Sequence, residues 1–473
     1  MNDITKFLQD QLSVWPLASS NFRSLKTDRC KELEVGGLHC KAQHNPCRIA
    51  STTAEVDPVS LQKRPCFLCV PNRPPEQFHL KYEGRKDRHY NIQVNPYPIF
   101  PSHFVIARDV HKPQTIWHNF VDMMDFARKY QDYLVFYNGP DSGASCPDHM
   151  HFQAIPKGHL PLQTAIDEFL DAADEPLTTG QDAKLYHFPS FCRGIYAMRS
   201  QTPKSLAKLF YRLVDCAPFN EGESEPRLNL YIYCYKEEFR CFVVLRGKVR
   251  SHHYYSEGED HLTMTPGAAD MAGFFVCPKL EDFEKLSASL LEEILDEVCI
   301  SSEEEKMVNW RLTRSQSYLD VPIMKGDEIE FEMISDGAGP QMVRLCEGRI
   351  EYGGVLYDAL YFDSVTTSKV FSEPSFRLLS KSASGLFAGS LKFDVCDGTI
   401  RASNKIGIEN YLLSTMSEDY PLEENIGILR AAAIERRSAI LADPSEVKAY
   451  KGLSVKISNF VRKAIDLSWG QLK

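Results

Sequence analysis

The chain has 473 residues, a formal net charge of −10, 43% hydrophobic and 25% charged residues. This length predicts two to three domains, and the balanced composition excludes a fibrous or largely disordered chain. The acidic balance argues against a broad nucleic-acid surface, which needs a basic face, although a local basic pocket for phosphates stays open.

The N-terminal segment, Met1–Asp10, is polar and of mixed charge, unlike a signal peptide, and no stretch has the length of a membrane span. The 14 cysteines are scattered, and a chain of this size does not need disulfides to fold. We therefore expect a cytoplasmic protein with mostly reduced thiols and no membrane partner.

The first half alternates strand-like and helix-like patterns. Residues Tyr90–Val94 and His103–Arg108 read as strands around a proline-rich turn, because β-branched and aromatic residues alternate there. Residues 114–131 have apolar positions spaced for one helical face. Tyr133–Tyr137 is a short apolar strand that runs into the turn-rich loop Asn138–Gly143.

An internal repeat is visible in the middle of the chain. The hairpin predicted over Leu228–Arg246 resembles the one over Tyr90–Arg108, and in each an asparagine, Asn229 or Asn91, lies 17 positions before an arginine. A shared spacing between two unrelated hairpins is the alternative. A duplicated α+β unit in which one copy keeps the chemistry is the reading that we favour.

The C-terminal part differs in character. From about residue 315 the pattern changes to short alternating segments, and the chain closes with helices such as Ala431–Leu441. We expect a region 1–312, made of two related halves at about 40–160 and 200–300, followed by a separate domain over 316–473.

The sharpest chemical motif is His149-Met-His151-Phe-Gln153. On an extended strand the three polar side chains point to one face, and three such groups are costly to bury without a task. Two surface histidines beside a glutamine are the plainer alternative. The loop before the motif also fits a phosphate cradle.

The second motif is Cys66-Phe-Leu-Cys69, a spacing at which two thiolates reach one tetrahedral zinc ion. A redox pair or two core thiols are the alternatives. Pro65 precedes the motif and a proline-rich segment follows it, which suits a metal-binding knuckle between loops better than a redox motif at a helix start. Further ligands are sought among the histidines His103, His111, His149 and His159.

Five signatures in order resemble the histidine triad (HIT) superfamily, and within it galactose-1-phosphate uridylyltransferase and its dinucleotide and nucleotide-sugar phosphorylase relatives. The resemblance covers residues 40–155 well and continues more loosely to about residue 300. The signatures are Gln43–Pro46, Cys66–Arg73, Asp109–Lys112, Asn138–Ser145 and His149–Gln153.

The resemblance implies a closed zinc site with two thiolates and two imidazoles, the structural type of zinc centre. His103 is the first substitute if one ligand proves wrong. The implied ligands are Cys66, Cys69, His111 and His149.

The resemblance also implies that His151 is the nucleophile, that Gln153 contacts the reacting phosphate, and that Asn138 and Ser145 lie in the phosphate loop. A neutral imidazole attacks an α-phosphorus without activation, and the covalent nucleotidyl-histidine divides one displacement into two. Hydrolytic relatives carry a third histidine where this chain has glutamine, which favours transfer onto phosphate or a sugar phosphate over transfer onto water.

Four basic residues are candidates for pairing with phosphate oxygens. An ordinary surface charge is the alternative for each of them. The candidates are Arg48, Arg73, Arg108 and Lys157.

The C-terminal domain resembles the SpoIID/LytB domain in four short segments, Glu409–Leu412, Ser417–Pro421, Leu429–Ala433 and Arg436–Ser438. Glu418 stands at the position of that family's catalytic acid. A packing or regulatory domain is the alternative, because the match is short and the chain ends soon after it.

The expected fold is therefore α+β, with a duplicated HIT-like region of antiparallel sheet and helices and a smaller α+β C-terminal domain. The expected function is transfer of a nucleoside monophosphate from a nucleotide sugar or dinucleotide to phosphate or a sugar phosphate. Zinc is the expected cofactor, and a homodimer is compatible with the sequence. A non-enzymatic nucleotide or glycan sensor is the alternative. Met150, Phe152 and Cys146 depart from the family pattern and leave the base and the acceptor open.

Overall fold

The computed structural model describes residues 3–53, 56–218, 223–313, 318–334, 339–362, 376–379, 385–387, 389–442, 461 and 464–465. Two compact units divide the chain, unit one at Met1–Thr313 and unit two at Arg314–Lys473.

The helices and strands of unit one alternate along the chain. Its helices are α1 (Asp3–Val14), α2 (Pro16–Ser24), α3 (Ile49–Thr52), α4 (Pro58–Lys63), α5 (Phe120–Lys129), α6 (Pro161–Ala172), α7 (Pro203–Cys216), α8 (Leu280–Lys285), α9 (Ala288–Val298) and α10 (Ser302–Thr313). Its strands are β1 (Arg29–Val35), β2 (Leu38–His44), β3 (Leu80–Glu83), β4 (His89–Val94), β5 (Phe104–Arg108), β6 (Tyr133–Asn138), β7 (His151–Pro156), β8 (Thr178–Thr179), β9 (Lys184–Phe188), β10 (Ile195–Ser200), β11 (Leu228–Tyr235), β12 (Glu238–Leu245) and β13 (Phe274–Cys277).

Among the described residues of unit one, ten strands form one antiparallel sheet in the order β3-β4-β5-β7-β6-β11-β12-β10-β9-β8. The same strand order occurs twice. The first half reads β4-β5-β7-β6 with α5 between β5 and β6, and the second half reads β9-β10-β12-β11 with α7 between β10 and β11. The halves meet where β6 pairs with β11.

This topology corrects the sequence alignment of the repeat. The hairpin that contains Asn229 is β11-β12, whose counterpart is β6-β7, so the predicted match to the hairpin around Asn91 is wrong. The physical reason is that spacing within a hairpin does not specify its place in a sheet, whereas the preceding crossover helix does. The second copy thus begins with Lys184 in β9, and β12 carries no histidine where β7 carries His151.

The sheet of unit one is buried on both faces, but the two faces differ in chemistry. One face packs against α5 and α7 through a continuous apolar core, for example Phe120 stacked on Phe210 with ring centroids 4.0 Å apart. The other face is apolar around β10, β11 and β12. Towards β4, β5 and β7 this second face becomes polar, and there it carries His151 and Gln153.

Unit two is also α+β, with a four-stranded and a six-stranded sheet among its described residues. Glu418 lies exposed in the last turn of α11, next to Asp419, which pairs with Arg436 at 2.6 Å. The elements are β14 (Tyr318–Gly326), β15 (Glu328–Met333), β16 (Pro340–Cys346), β17 (Arg349–Tyr352), β18 (Val355–Tyr357), β19 (Ala359–Phe362), β20 (Phe376–Leu378), β21 (Leu386–Phe387), β22 (Ser390–Cys396), β23 (Thr399–Gly407), α11 (Ile408–Asp419) and α12 (Ile426–Ala442).

The predicted α+β class is confirmed by these large antiparallel sheets and their covering helices. Within the described ranges, no helix combines the length and the apolar character needed to cross a bilayer.

Candidate active site and metal centre

The four predicted metal ligands lie together. Their ligand atoms are all within 4.8 Å of one another. The Nδ1 atom of His149 lies 3.3 Å from Cys66 Sγ and 3.5 Å from Cys69 Sγ, and the Nδ1 atom of His111 lies 3.3 Å from Cys69 Sγ.

These separations fit one tetrahedral zinc ion. Zinc bonds of about 2.0–2.1 Å to nitrogen and about 2.3 Å to sulfur place neighbouring ligand atoms roughly 3.5 Å apart. The far ring nitrogen of His149 is 2.8 Å from the carbonyl oxygen of Arg108, which fixes the ring with Nδ1 directed at the thiols. The side-chain amide of Asn72 donates to the carbonyl of Cys66 at 2.9 Å and closes the knuckle. The donor set therefore suits a structural zinc ion.

A third thiol, Cys146, adjoins this metal cluster. Its sulfur lies 3.8 Å from Cys66 Sγ and 3.3 Å from an oxygen of Asp148. Hydrogen bonding from Cys146, followed by that from His149, lowers the pKa of Cys66 and favours the thiolate, while the contact with Cys66 raises the pKa of Cys146. Cys146 thus remains a thiol that can donate to the Cys66 sulfur, a role that the sequence did not indicate.

The candidate nucleophile, His151, opens strand β7 and is 5% exposed. Its Nδ1 lies 2.8 Å from the carbonyl of His149, so Nδ1 holds the proton and the lone pair of the neutral ring is on Nε2. Burial lowers the pKa of His151 to about 4, which keeps the ring neutral. Neutral imidazole is the nucleophilic form.

Gln114 holds the backbone of His151 in place. The Oε1 atom of Gln114 accepts from the amide of His151 at 2.8 Å, and its side-chain nitrogen donates to the carbonyls of His151 at 3.0 Å and Asn138 at 2.9 Å. The sequence predicted a helix from residue 114, but the helix begins at Phe120 and Gln114 lies in the loop before it.

Gln153 is oriented by His103, a residue proposed from the sequence only as a reserve metal ligand. The Nε2 atom of His103 lies 2.8 Å from Oε1 of Gln153. Burial, reinforced by the charge of Arg48, lowers the pKa of His103 to about 3, so its ring is neutral. With its proton on Nε2, His103 donates to Oε1 and leaves the amide N–H groups of Gln153 to donate elsewhere.

Buried amides extend this polar face beyond the predicted motif. Asn91 and Gln93 on β4 pair with Ala107 and Val105 on β5, which in turn face His151 and Gln153 on β7. Directly paired residues of antiparallel strands share a face. Both side-chain polar atoms of Asn91 and the amide nitrogen of Gln93 are buried and find no hydrogen-bond partner among the described residues.

Unsatisfied buried amides are rare unless a ligand or water meets them. The polar face is therefore suited to a polar ligand. The alternation Asn91-Ile-Gln93-Val-Asn95, which predicted a strand, is also the signal in the sequence for this polar face.

The predicted phosphate loop is enclosed by the second half of unit one. Oδ1 of Asn138 accepts from the side-chain nitrogen of Asn229 and from the amide of Ala268, each at 2.8 Å. A Cβ atom added to Gly143 would lie 2.7 Å from the Cα of Gly267. The loop and the second half therefore meet at Gly143 without room for a side chain. Among the described residues, the buried hydroxyl of Ser142 has no hydrogen-bond partner.

The predicted basic residues separate into two groups. Partly buried Arg48 lies near His103 and binds only the carbonyl of Tyr97, at 2.9 Å, among the described residues. Arg73 donates to the carbonyl of Leu68 at 3.0 Å and supports the knuckle. Arg48 is therefore the better placed of these two to meet a phosphate on the polar face.

Two further basic candidates have partners of their own. The guanidinium of Arg108 lies 5.4 Å from the centre of the Tyr90 ring, on the face of the sheet opposite His151. The Nζ atom of Lys157 donates to the carbonyl of Cys234 at 2.8 Å. Ser145 lies in the loop with its carbonyl accepting from Arg64 at 2.9 Å, and His159 stacks on Phe100, away from the thiols.

Comparisons with known proteins give a family match to part of the chain. The model of a domain of unknown function, DUF4922, matches residues 7–156, a segment that ends with β7 and includes the metal cluster, His151 and Gln153. No curated protein matches the chain.

Several solved structures are similar to this chain at low sequence identity. Yeast Ap4A phosphorylase Apa2 is 18% identical over 60% of this chain and 96% of its own, with a TM-score of 0.41. The structure of its complex with Ap4A is 17% identical over 61% of this chain and 97% of its own, with a TM-score of 0.39. A DUF4931 family protein from Bacillus cereus ATCC 10987 is 18% identical over 37% of this chain and 88% of its own, with a TM-score of 0.26. Any functional assignment has to rest on the residues of the site.

Proposed function

We propose that this chain transfers a nucleoside monophosphate through a covalent intermediate on His151, as a nucleotidyltransferase or phosphorylase. The observation that carries the proposal is the pairing of a neutral histidine, whose Nδ1 proton is held by a carbonyl, with Gln153, whose amide nitrogen is freed by His103. A nucleophile and a neutral donor then stand two residues apart on one strand face.

The reaction proceeds in two balanced displacements. The Nε2 lone pair of His151 attacks the α-phosphorus, a P–N bond forms, and the P–O bond to the leaving nucleoside polyphosphate or sugar phosphate breaks with its electron pair on the leaving oxygen. An oxygen of the acceptor phosphate then attacks the same phosphorus and the P–N bond breaks, which restores the neutral imidazole.

The surrounding side chains stabilise charge in both displacements. The amide of Gln153 donates to the phosphoryl oxygens, and Arg48 supplies a positive charge towards the same face. The buried amides Asn91 and Gln93 are available to bind the nucleoside. Cys66, Cys69, His111 and His149 would hold a zinc ion, which would supply structural cross-linking of the knuckle when bound.

The substrate class is a dinucleotide polyphosphate or a nucleotide sugar, with phosphate or a sugar phosphate as acceptor. Glutamine at position 153 supports transfer over hydrolysis, because it cannot give a proton to a leaving group as a third histidine can.

The test is turnover by the full chain on a panel of α-labelled dinucleotide polyphosphates and nucleotide sugars, with and without inorganic phosphate or sugar phosphates. We expect labelled nucleotide products that depend on the acceptor, and no turnover by His151→Gly. Release of nucleoside monophosphate to water at the same rate without an acceptor would contradict transfer. Nucleotide binding without any turnover would favour the sensor.

A further inference from the structure

A second cluster of metal-ligating side chains lies in the other half of unit one. His252 and His253 form part of a short 3-10 turn, His252–Tyr254, and Glu293 lies on helix α9. One ligand atom from each of the three residues lies within 4.8 Å of the others. This cluster shares no residue with the thiol-containing centre and takes no part in the proposed reaction.

The Nδ1 atom of each imidazole lies within hydrogen-bond distance of an oxygen atom. Nδ1 of His252 lies 2.8 Å from Oε2 of Glu297, and Nδ1 of His253 lies 3.2 Å from the carbonyl of Asp260. Since these oxygens accept, each neutral ring carries its proton on Nδ1 and its lone pair on Nε2. Glu297 is itself held by Lys248 at 2.9 Å, an arrangement that fixes the His252 ring as outer-shell carboxylates do in metal sites.

The two Nε2 lone pairs converge on one carboxylate oxygen. Oε1 of Glu293 lies 3.4 Å from Nε2 of His253 and 3.8 Å from Nε2 of His252. When both rings are neutral, the two Nε2 atoms and Oε1 of Glu293 are all hydrogen-bond acceptors, and no hydrogen atom lies between them. His253 is 9% exposed, and within the described part of the chain its buried Nε2 has no hydrogen-bond partner.

We propose that His252, His253 and Glu293 bind a divalent transition-metal ion, with zinc as the best-suited one. Bonds of about 2.0–2.2 Å from zinc to nitrogen and oxygen place neighbouring ligand atoms roughly 3.4 Å apart, which is close to the separations around Oε1 of Glu293. Two imidazoles and one carboxylate are a ligand set that zinc accepts, and the remaining position faces solvent.

The metal would join the loop after β12 to helix α9. The segment from His252 leads directly into Thr263–Gly267, whose last residue packs against Gly143 of the phosphate loop. A cross-link at His253 therefore holds the stretch of chain that encloses the candidate active site. The ion pairs of protonated histidines with Glu293 are the alternative without a metal.

The experiment compares full-length wild-type protein with Glu293→Gln, His253→Gln and the matched control Glu292→Gln. Glu292 is the neighbouring carboxylate on α9 and accepts from the amide of Gly36 at 2.9 Å, away from the cluster. Each protein is stripped, loaded with zinc at one buffered free concentration, and its bound zinc is measured together with its thermal midpoint.

We expect wild type and Glu292→Gln to bind about one zinc ion more per chain than Glu293→Gln and His253→Gln, whatever the occupancy of the thiol site. We also expect the zinc-dependent rise in thermal midpoint to be smaller in the two cluster variants. Equal zinc content in wild type and in both cluster variants, each with a wild-type circular dichroism spectrum, would overturn the proposal and leave ion pairs as the explanation.

Discussion

His149 and His151 are separated by one residue, yet they present opposite ring nitrogens to their surroundings. His149 gives Nε2 to the carbonyl of Arg108 and directs Nδ1 at the thiols, whereas His151 gives Nδ1 to the carbonyl of His149 and keeps Nε2. Hydrogen bonding to backbone carbonyls thus suits the His149 ring to the proposed metal site and the His151 ring to the proposed reaction. The motif in the sequence indicates the residue types but not this choice of nitrogen.

Removing the support of Gln153 tests the role of His103 as a positioning residue. We expect His103→Leu to lower kcat about ten- to hundredfold with a smaller change in KM, because the amide of Gln153 is then free to turn its oxygen towards the phosphate. His103→Gln retains an N–H donor and should recover much of the rate. Equal losses of kcat in both variants, with unchanged thermal midpoints, would contradict a positioning role.

At the scale of elements, the sequence predicted individual strands better than the order in which they pair in the sheet. Strands β4, β5 and β6 match the predicted segments to within one residue, because alternation on a sheet with one apolar core face is a strong local signal. His149 was expected on the strand but precedes β7, which begins at His151. The ring of His149 instead contacts the sulfur of Cys66 in the knuckle. Sheet order, which decides how the repeat aligns, is a long-range property that local spacing does not carry.

The zinc knuckle has little apolar core of its own. Cys66 and Leu68 pack on Val105 and Ala107 of β5 in a small cluster. We therefore expect the proposed zinc ion to supply much of the stability of this loop. We expect Cys69→Ser to lose about one zinc ion per chain and to lower the thermal midpoint. Cys30→Ser, at an exposed thiol, serves as the matched control. Full zinc content in Cys69→Ser would remove this centre from the account.

The meeting of the phosphate loop with the second half is tested at Gly143, which has φ of +90°. Gly158, with φ of +80° and nothing within 4 Å of an added Cβ, reports backbone strain alone. We expect Gly158→Ala to cost about 1–2 kcal/mol of stability with activity kept. Gly143→Ala should cost more, since its Cβ would overlap Gly267, and should reduce turnover. Equal stability and turnover in the two variants would show that the contact does not shape the site.

At the scale of the whole molecule, unit one contains all the residues of the proposed reaction. Its second half supplies no counterpart of His151 but covers the phosphate loop through Asn229 and Ala268. From the change in pattern near residue 315 the sequence predicted a separate C-terminal domain, and it placed the proposed catalytic residues in the part before it. The enclosure of the loop could not be read from the sequence, because it depends on contacts between positions 91 and 130 residues apart.

A fragment of residues 1–313 tests the independence of unit one. We expect it to fold, to bind zinc at the knuckle and to retain most of the nucleotide transfer of the full chain, because its apolar cores are formed by its own residues. A fragment that is folded by circular dichroism but inactive would assign part of the reaction to unit two. In that case Glu418 would be the first residue of unit two to substitute.

The central claim concerns His151, and the most direct measurement is the mapping of the covalent intermediate. The full chain is incubated without acceptor with an α-labelled substrate selected by the turnover panel, digested at alkaline pH to preserve the P–N bond, and sequenced by mass spectrometry. The account predicts a nucleoside monophosphate on His151 alone, which phosphate or a sugar phosphate removes as product. Labelling of His149, or transfer by His151→Gly at the wild-type rate, would contradict it.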